Sequence, residues 1–139
     1  MKVVFDSNIL IAALLFPDGR AAAAVTKILD GPDGLVISRP VIQEVLSVLA
    51  AKFSRDKEEL SRVAVILSEM GEVVEPACKL CVFRHEPDNR ILECVVAGKA
   101  ELIVTSDKAM LTTGEYEGIR LATLADYLGQ ATRGGGQRS

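Results

Sequence analysis

Hydrophobic residues along this chain form two kinds of segment that alternate with each other. Short apolar segments, typical of strands buried on both faces of a sheet, occur at 3–5, 35–37, 73–74 and 102–105, and a further short segment at 119–122, interrupted by Arg120, also predicts a strand. Longer segments with a helical period of apolar positions occur at 8–15, 21–29, 38–53, 56–70, 87–97 and 123–128. Alternation of this kind favours right-handed crossovers between parallel strands. The pattern predicts an α/β fold of three layers, in which a mainly parallel central sheet of about five strands has helices on both faces.

Residues that start and stop helices agree with these boundaries. Ser38 and Pro40 are suited to the first turn of the helix that follows the second strand. Gly71 and Gly98 each follow a helical segment and are typical helix ends. The stretch 30–34 is rich in Asp, Gly and Pro and predicts a loop.

The size and composition of the chain are those of one globular domain. It has 139 residues, of which 49% are hydrophobic and 25% are charged, and this balance excludes general disorder. We expect a domain over residues 1–129 and a disordered tail rich in Gly and Arg over residues 130–139. A net charge of −3 argues against a uniformly basic surface, but a basic rim around an acidic metal site would leave the total unchanged.

The number of cysteines and the length of the apolar segments indicate the cellular compartment of the protein. Three cysteines, an odd number, do not form a disulfide framework and favour a reducing compartment. The apolar run 9–16 has some likeness to a signal peptide, but Asp6, Asn8 and Asp18 break that pattern. No apolar stretch approaches the roughly 20 residues that a membrane-spanning helix needs. The sequence predicts a cytoplasmic protein without a membrane partner.

Four carboxylates occupy positions from which they can converge. Asp6 comes directly after the first strand and Asp107 follows the fourth, so both belong to the edge where ligands bind in open α/β sheets. Asp88 lies in the first turn of a helix, on the side of its apolar residues. Glu44 lies between Val41 and Val48, beside a helical stripe that should face the core.

Each acid also has an ordinary structural explanation. Asp6 and Asp107 suit helix N-caps, Asp88 suits the positive end of a helix dipole, and Glu44 can reach solvent past its neighbours. The occurrence of all four acids near one edge of the sheet is the stronger argument for a functional site. Two carboxylates 4 Å apart repel by roughly 4 kcal/mol at an effective dielectric constant near 20, so such a cluster is unfavourable by itself. A divalent cation would remove that repulsion, and oxygen ligands favour Mg²⁺ or Mn²⁺ over zinc. The chemistry that fits such a cluster is hydrolysis of phosphodiester bonds.

Four segments that carry these acids resemble the motifs of PIN-domain nucleases. They are 3–10, 38–46, 87–94 and 102–107, and they occur in the same order as in that family. The resemblance spans residues 1 to about 128 and is nearest to the toxin components of type II toxin–antitoxin systems. It implies a PIN-like fold and a ribonuclease that cuts single-stranded RNA with Mg²⁺ or Mn²⁺. It also implies a protein antitoxin as partner and a homodimer.

The resemblance also implies roles for individual residues. The catalytic and metal-binding acids would be Asp6, Glu44, Asp88 and Asp107, with Asn8 and Thr105 as supporting polar groups. Two positions depart from the family pattern, since Ala109 and Asn89 stand where relatives often carry a further acid. These departures favour one metal ion over two. We expect Glu93, five residues after Asp88, to be a structural or surface residue rather than a replacement ligand.

Basic residues near the acidic motifs are candidates for holding the RNA backbone. They are Arg20, Lys27, Arg39, Arg90 and Lys108. An ordinary solvated surface charge is an equally good explanation for each of them.

Three other functions compete with the nuclease. Cys78, Cys81, His85 and Cys94 have ligand types and spacings that occur in zinc sites. A haloacid-dehalogenase-type phosphatase would place an Asp after the first strand, but it needs another Asp where this chain has Asn8. The non-enzymatic alternative is a catalytically weak PIN-like binding module that acts through RNA or protein partners. The helix 56–70 has an apolar face that is one surface for such a partner, although core packing explains it more often; its residues are Val63, Ile66, Leu67 and Met70.

Overall fold

A computed structural model describes residues 1–84, 86–113 and 115–133 of the chain. The strands are β1 (Lys2–Phe5), β2 (Gly34–Ser38), β3 (Glu72–Val74), β4 (Leu102–Val104), β5 (Glu115–Tyr116) and β6 (Ile119–Ala122). The helices are α1 (Ser7–Leu15), α2 (Arg20–Asp30), α3 (Arg39–Phe53), α4 (Lys57–Met70), α5 (Glu86–Gly98), α6 (Lys108–Thr113) and α7 (Leu124–Arg133).

The strands form one mixed sheet in the order β3-β2-β1-β4-β6-β5. All neighbouring pairs are parallel except β5 and β6, which are antiparallel. The predicted α/β class and mainly parallel sheet are therefore confirmed. The sequence analysis missed β5 and α6, because elements of two and six residues are too short to show a period of hydrophobic positions.

Both faces of the sheet are covered, since consecutive strand residues point to opposite faces and all of them are buried from Val3 to Phe5 and from Leu102 to Val104. Of these residues, Val3, Ile103 and Val104 are fully enclosed. A Cβ added to Gly98, at the end of α5, would collide with the side chain of Val36, so α5 packs closely on β2. A Cβ added to Gly71, just before β3, would collide with the Leu35 backbone of the neighbouring strand.

Capping residues set the starts of α3 and α4. The Ser38 hydroxyl accepts a hydrogen bond from the Val41 N–H at 3.2 Å, and Pro40 occupies the first turn. The Asp56 carboxylate accepts from the Glu59 N–H while the Glu59 side chain accepts from the Asp56 N–H. This reciprocal pair is a capping box, which satisfies backbone donors that a helix start otherwise leaves unpaired.

The C-terminal helix α7 is held against α2 by a lysine and a tyrosine. Lys27 Nζ donates to the Tyr127 carbonyl at 2.8 Å and lies 3.6 Å from the centroid of the Tyr127 ring. The same ring makes an edge contact with Phe5 at a centroid distance of 5.8 Å. Lys27 is thus engaged in joining two helices, and this corrects its assignment as a contact to the RNA backbone.

The helix α7 ends at Arg133, past the predicted domain boundary at residue 129. The rest of the predicted tail, residues 134–139, lies outside the described residues. Among the helices of the described ranges, none is by itself long and apolar enough to cross a membrane. Only α1 and α2 taken together reach that length and composition, and they are bent by 103°.

The contact between α5 and β2 makes substitution of Gly98 costly. We expect Gly98→Ala to destabilise the fold by about 1–3 kcal/mol, because the added methyl group overpacks the Val36 side chain. Thermal unfolding followed by circular dichroism measures this loss.

Gly129→Ala is the matched control for that substitution. Gly129 lies inside α7, and no described atom comes within 4 Å of an added Cβ there. This control should be neutral or stabilising by up to about 1 kcal/mol, since alanine favours helices. Equal unfolding temperatures for the two variants would contradict the packing of α5 on β2.

Candidate active site

The strand order reverses between β1 and β4, and the candidate site lies at this point of the sheet. From β1 the chain proceeds to β2 and β3 on one side, whereas β4 and β6 lie on the other. Ligands of open α/β sheets bind outside the carboxyl ends of the strands at such a reversal. Asp6 follows β1 and Thr105 follows β4, so the chain places both residues at this location.

Asp6 is a buried carboxylate held between the two central strands. Only 3% of the residue is exposed, and its N–H donates to the Val104 carbonyl at 2.9 Å. Its Oδ2 accepts a hydrogen bond of 2.7 Å from the Thr105 hydroxyl. Although Asp6 is the N-cap residue of α1, its side chain makes no capping hydrogen bond. The capping explanation that the sequence allowed therefore does not account for this carboxylate.

Burial is the main influence on the acidity of Asp6. Removal of the carboxylate from water raises its pKa above the ordinary value of 3.8. The Thr105 hydrogen bond and the nearby N–H groups of Asn8 and Ser7 lower the pKa, while the charge of Asp107 raises it. Asp6 and Asp107 are thus close enough to repel each other.

Thr105 connects the two acids through its hydroxyl group. Its oxygen donates to Asp6 and accepts the N–H of Asp107 at 3.0 Å. Asp107 is half-buried, and its Oδ1 accepts the Met110 N–H at 3.0 Å, as an N-cap of α6 does. Asp107 therefore combines a capping role with a place beside Asp6.

Asp88 and Glu44 lie on two helices that pack against each other. Asp88 is in the first turn of α5 and is 2% exposed. Glu44 is half-buried on α3, and its carboxylate makes no hydrogen bond or ion pair with a described residue. Their membership of the site stays a prediction.

Asn8 and Thr105, the two predicted supporting residues, have different surroundings. Thr105 is fully buried and bonded to Asp6, as an orienting role requires. Asn8 is exposed at the start of α1, where its backbone rather than its side chain faces the Asp6 carboxylate. Ser7, which the sequence analysis did not select, has its hydroxyl 3.4 Å from Asp6 Oδ1, and its only signal in the sequence is its position beside Asp6.

The donor atoms at this edge suit a divalent cation. Two carboxylates that repel each other, one of them buried, offer the oxygen ligands that Mg²⁺ and Mn²⁺ prefer. However, across residues 1–84, 86–113 and 115–133 no three Asp, Glu, His or Cys side chains are arranged closely enough to hold a metal ion. The structure brings Asp6 and Asp107 together, and it leaves Asp88 and Glu44 on adjacent helices.

The residues around Asp88 have structural partners. Asn89 accepts hydrogen bonds from the N–H groups of Val82 and Phe83. Glu93 accepts from the Leu80 N–H and binds Arg90, which confirms the prediction that it is a structural residue. Arg90 was a candidate for holding RNA, and this ion pair corrects that assignment.

The remaining basic candidates lie on the surface. Arg39 forms an exposed ion pair of 3.3 Å with Glu75. Arg20 and Lys108 are exposed at the first residues of α2 and α6, and their side chains have no partner among the described residues. These two positive charges therefore remain accessible on the surface.

The cysteines do not form a common site within the described part of the chain. Cys78 and Cys81 are exposed, whereas Cys94 is buried inside α5. Burial raises the pKa of the Cys94 thiol to about 12, so the thiolate that zinc requires is disfavoured. His85 lies outside the described residues.

Comparison with known proteins identifies relatives of this chain. The family model described as PIN domain matches residues 2–109. The uncharacterized protein MJ1680 of Methanocaldococcus jannaschii is 25% identical over 116 residues, which cover 81% of this chain and 74% of that protein.

Two solved structures share the fold. One is the crystal structure of VapBC2 from Rickettsia felis bound to a DNA fragment from its promoter. It matches with a TM-score of 0.65 and 16% identity, over 88% of this chain and 98% of the chain in that structure. VapBC-1 from nontypeable Haemophilus influenzae matches with a TM-score of 0.65 and 19% identity, over 90% and 99% of the two chains. At these identities the likeness concerns the fold alone.

The raised pKa of Asp6 predicts a pH-dependent effect of its removal. A carboxyl group whose pKa is raised by folding stabilises the protein fully below its ordinary pKa of 3.8, and this contribution is lost as the pH rises through the folded pKa. Asp6→Asn should therefore unfold a few degrees above the wild type at pH 7 in EDTA, and the difference should shrink toward pH 4.

Thermal unfolding over that pH range tests this expectation. Asp18→Asn, in the exposed turn before α2, is the control and should show no such difference. A gain in stability that was the same at both pH values would contradict a raised pKa for Asp6.

Proposed function

Because this chain belongs to the PIN domain family, we propose that it is a nuclease and, more narrowly, an endoribonuclease dependent on Mg²⁺ or Mn²⁺. Its substrate would be single-stranded RNA, in which it hydrolyses phosphodiester bonds. The observation that carries this proposal is the linked pair Asp6 and Asp107, joined by Thr105 where the strand order reverses. A buried carboxylate beside a second, half-buried acid that repels it is unfavourable for the fold, and a cation bound there would remove that repulsion.

Each residue has a defined part in the proposed reaction. Asp6, Asp88 and Asp107 would hold the divalent ion, and Glu44 would bind it directly or through water. When bound, such an ion activates water for attack on phosphorus and neutralises charge on the phosphodiester. Thr105 keeps the Asp6 carboxylate oriented through its 2.7 Å hydrogen bond. Arg20 and Lys108 are exposed and would position the RNA backbone.

We further propose that the protein is the toxin of a toxin–antitoxin pair. The resemblance of its four acidic motifs is to toxin components of such systems, and the two solved structures that share its fold are VapBC assemblies. A small antitoxin protein would then be its partner, and the toxin itself would form a homodimer.

Cleavage of single-stranded RNA is the primary test. Purified protein with Mn²⁺ should cut a mixed RNA, and EDTA should abolish the cleavage. Asp6→Asn should lower the rate by about 100-fold or more, because it removes a charged ligand from the centre of the site.

Asp18→Asn provides the matched control, since it makes the same chemical change on the exposed surface. It should cleave at the wild-type rate. Equal rates for wild type and Asp6→Asn would instead identify a contaminating nuclease. No cleavage with any divalent metal would favour the alternative of a binding module, which the absence of a three-ligand cluster among the described residues also favours.

Growth of a bacterial host tests the toxin assignment separately. Induced expression of the wild-type chain should arrest growth, and Asp6→Asn should relieve the arrest at an equal protein level. Induction of the wild-type chain should give at least about tenfold fewer colonies than induction of Asp6→Asn, because the variant has lost cleavage. Growth arrest that persisted with Asp6→Asn would point to a cause other than this site.

A further inference from the structure

Residues 79–83, named here the clamp segment, run between β3 and α5 without helical or strand structure. Backbone groups of such a segment need partners, since they have none from a regular ladder. Here the partners are side chains of the first two turns of α5, namely Asn89, Arg90 and Glu93. The segment and the start of α5 are therefore joined by polar contacts.

Asn89 uses both the oxygen and the nitrogen of its side-chain amide in these contacts. Its Oδ1 accepts the N–H groups of Val82 at 2.9 Å and Phe83 at 2.7 Å, and its Nδ2 donates to the Phe83 carbonyl at 2.9 Å. The residue is 2% exposed. A carboxylate at this position can accept but cannot donate, so an aspartate would set a charge against the Phe83 carbonyl.

Glu93 and Arg90 hold the other end of the clamp segment. Glu93 Oε2 accepts the Leu80 N–H at 2.6 Å, and Arg90 Nη2 donates to the Leu80 carbonyl at 3.2 Å. The two side chains bind each other through bonds of 2.9 and 2.7 Å. Because Glu93 is 5% exposed, its charge depends on these partners for solvation.

Asp88 is adjacent to Asn89 in the first turn of α5, and its own side chain is buried. The first turn of a helix is where fraying begins, so an acid there needs support from outside the helix. The hydrogen bonds of Asn89, Arg90 and Glu93 join this end of α5 to the clamp segment.

We propose that Asn89 and Glu93 are positioning residues, which fasten the clamp segment across the start of α5 and so hold Asp88 at the candidate metal site. This inference rests on the proposed function, since it concerns the same acids. It assigns Asn89 a role that differs from that of a metal ligand. The two roles predict opposite results for Asn89→Asp, because a new carboxylate would strengthen metal binding at a ligand position and weaken it at a clamp position.

Hydrogen exchange tests the clamp without metal or RNA. In metal-free wild-type protein the amides of Leu80, Val82 and Phe83 should be protected. Asn89→Asp should accelerate exchange at Val82 and Phe83, and Glu93→Gln should accelerate it at Leu80, each by about tenfold. Amides of β1 and β4, measured in the same samples, report whether the variant retains its fold.

Metal binding tests the positioning role. Calorimetric titration with Mn²⁺ alone should give a dissociation constant about tenfold higher for both variants than for the wild type. With saturating Mn²⁺, the KM for RNA should change by less than about twofold, since neither side chain would touch the substrate. The matched controls are Ser61→Asp and Glu69→Gln, which make the same charge changes at exposed positions of α4 and should behave as wild type.

The outcomes separate this inference from the proposed function. Unchanged exchange at Val82 and Phe83 in Asn89→Asp overturns the clamp. Faster exchange together with unchanged or tighter Mn²⁺ binding overturns the positioning role. A wild-type protein that binds no Mn²⁺ and cuts no RNA overturns the proposed function and the positioning role with it, while the exchange data still support or overturn the clamp itself.

Discussion

The parallel register between β1 and β4 is the constraint on which the candidate site depends. Phe5 and Val104 are partners in that register. The residues that follow them, Asp6 and Thr105, therefore lie side by side at the end of the two strands. The Asp6 N–H extends the ladder by binding the Val104 carbonyl. Because Phe5 and Val104 are buried in the core, the hydrogen bond of 2.7 Å between Asp6 and Thr105 joins the ends of two closely packed strands.

Local stability and the proposed chemistry make opposite demands on Asp6. The core would accept a neutral residue more readily than a carboxylate with a raised pKa beside a second acid. A cation site needs that carboxylate, and it needs it in a place from which water is partly excluded. The Thr105 hydroxyl reduces the conflict, since it stabilises the charged form of Asp6 and accepts the N–H of Asp107.

The sequence predicts the location of a residue best where that location follows from its place after a strand. Asp6 and Asp107 could be located because the carboxyl end of a buried strand is visible in the pattern of apolar residues. The hydrogen-bond partners of Asn89 and Glu93 could not be located, because they are backbone groups of a segment that has no periodic pattern of hydrophobic residues. Lys27 and Arg90 were candidates for RNA contact on charge alone, and charge does not reveal that a cation already has a partner within the fold.

Gly98 has a consequence for a residue at the opposite end of its helix. Asp88 and Gly98 are both in α5, ten positions apart, which is about 15 Å along the axis. The missing side chain at Gly98 lets that end of the helix lie directly on Val36. A residue larger than glycine at position 98 would lift that end of α5 away from β2 and tilt the helix, and the tilt would displace Asp88 at the other end.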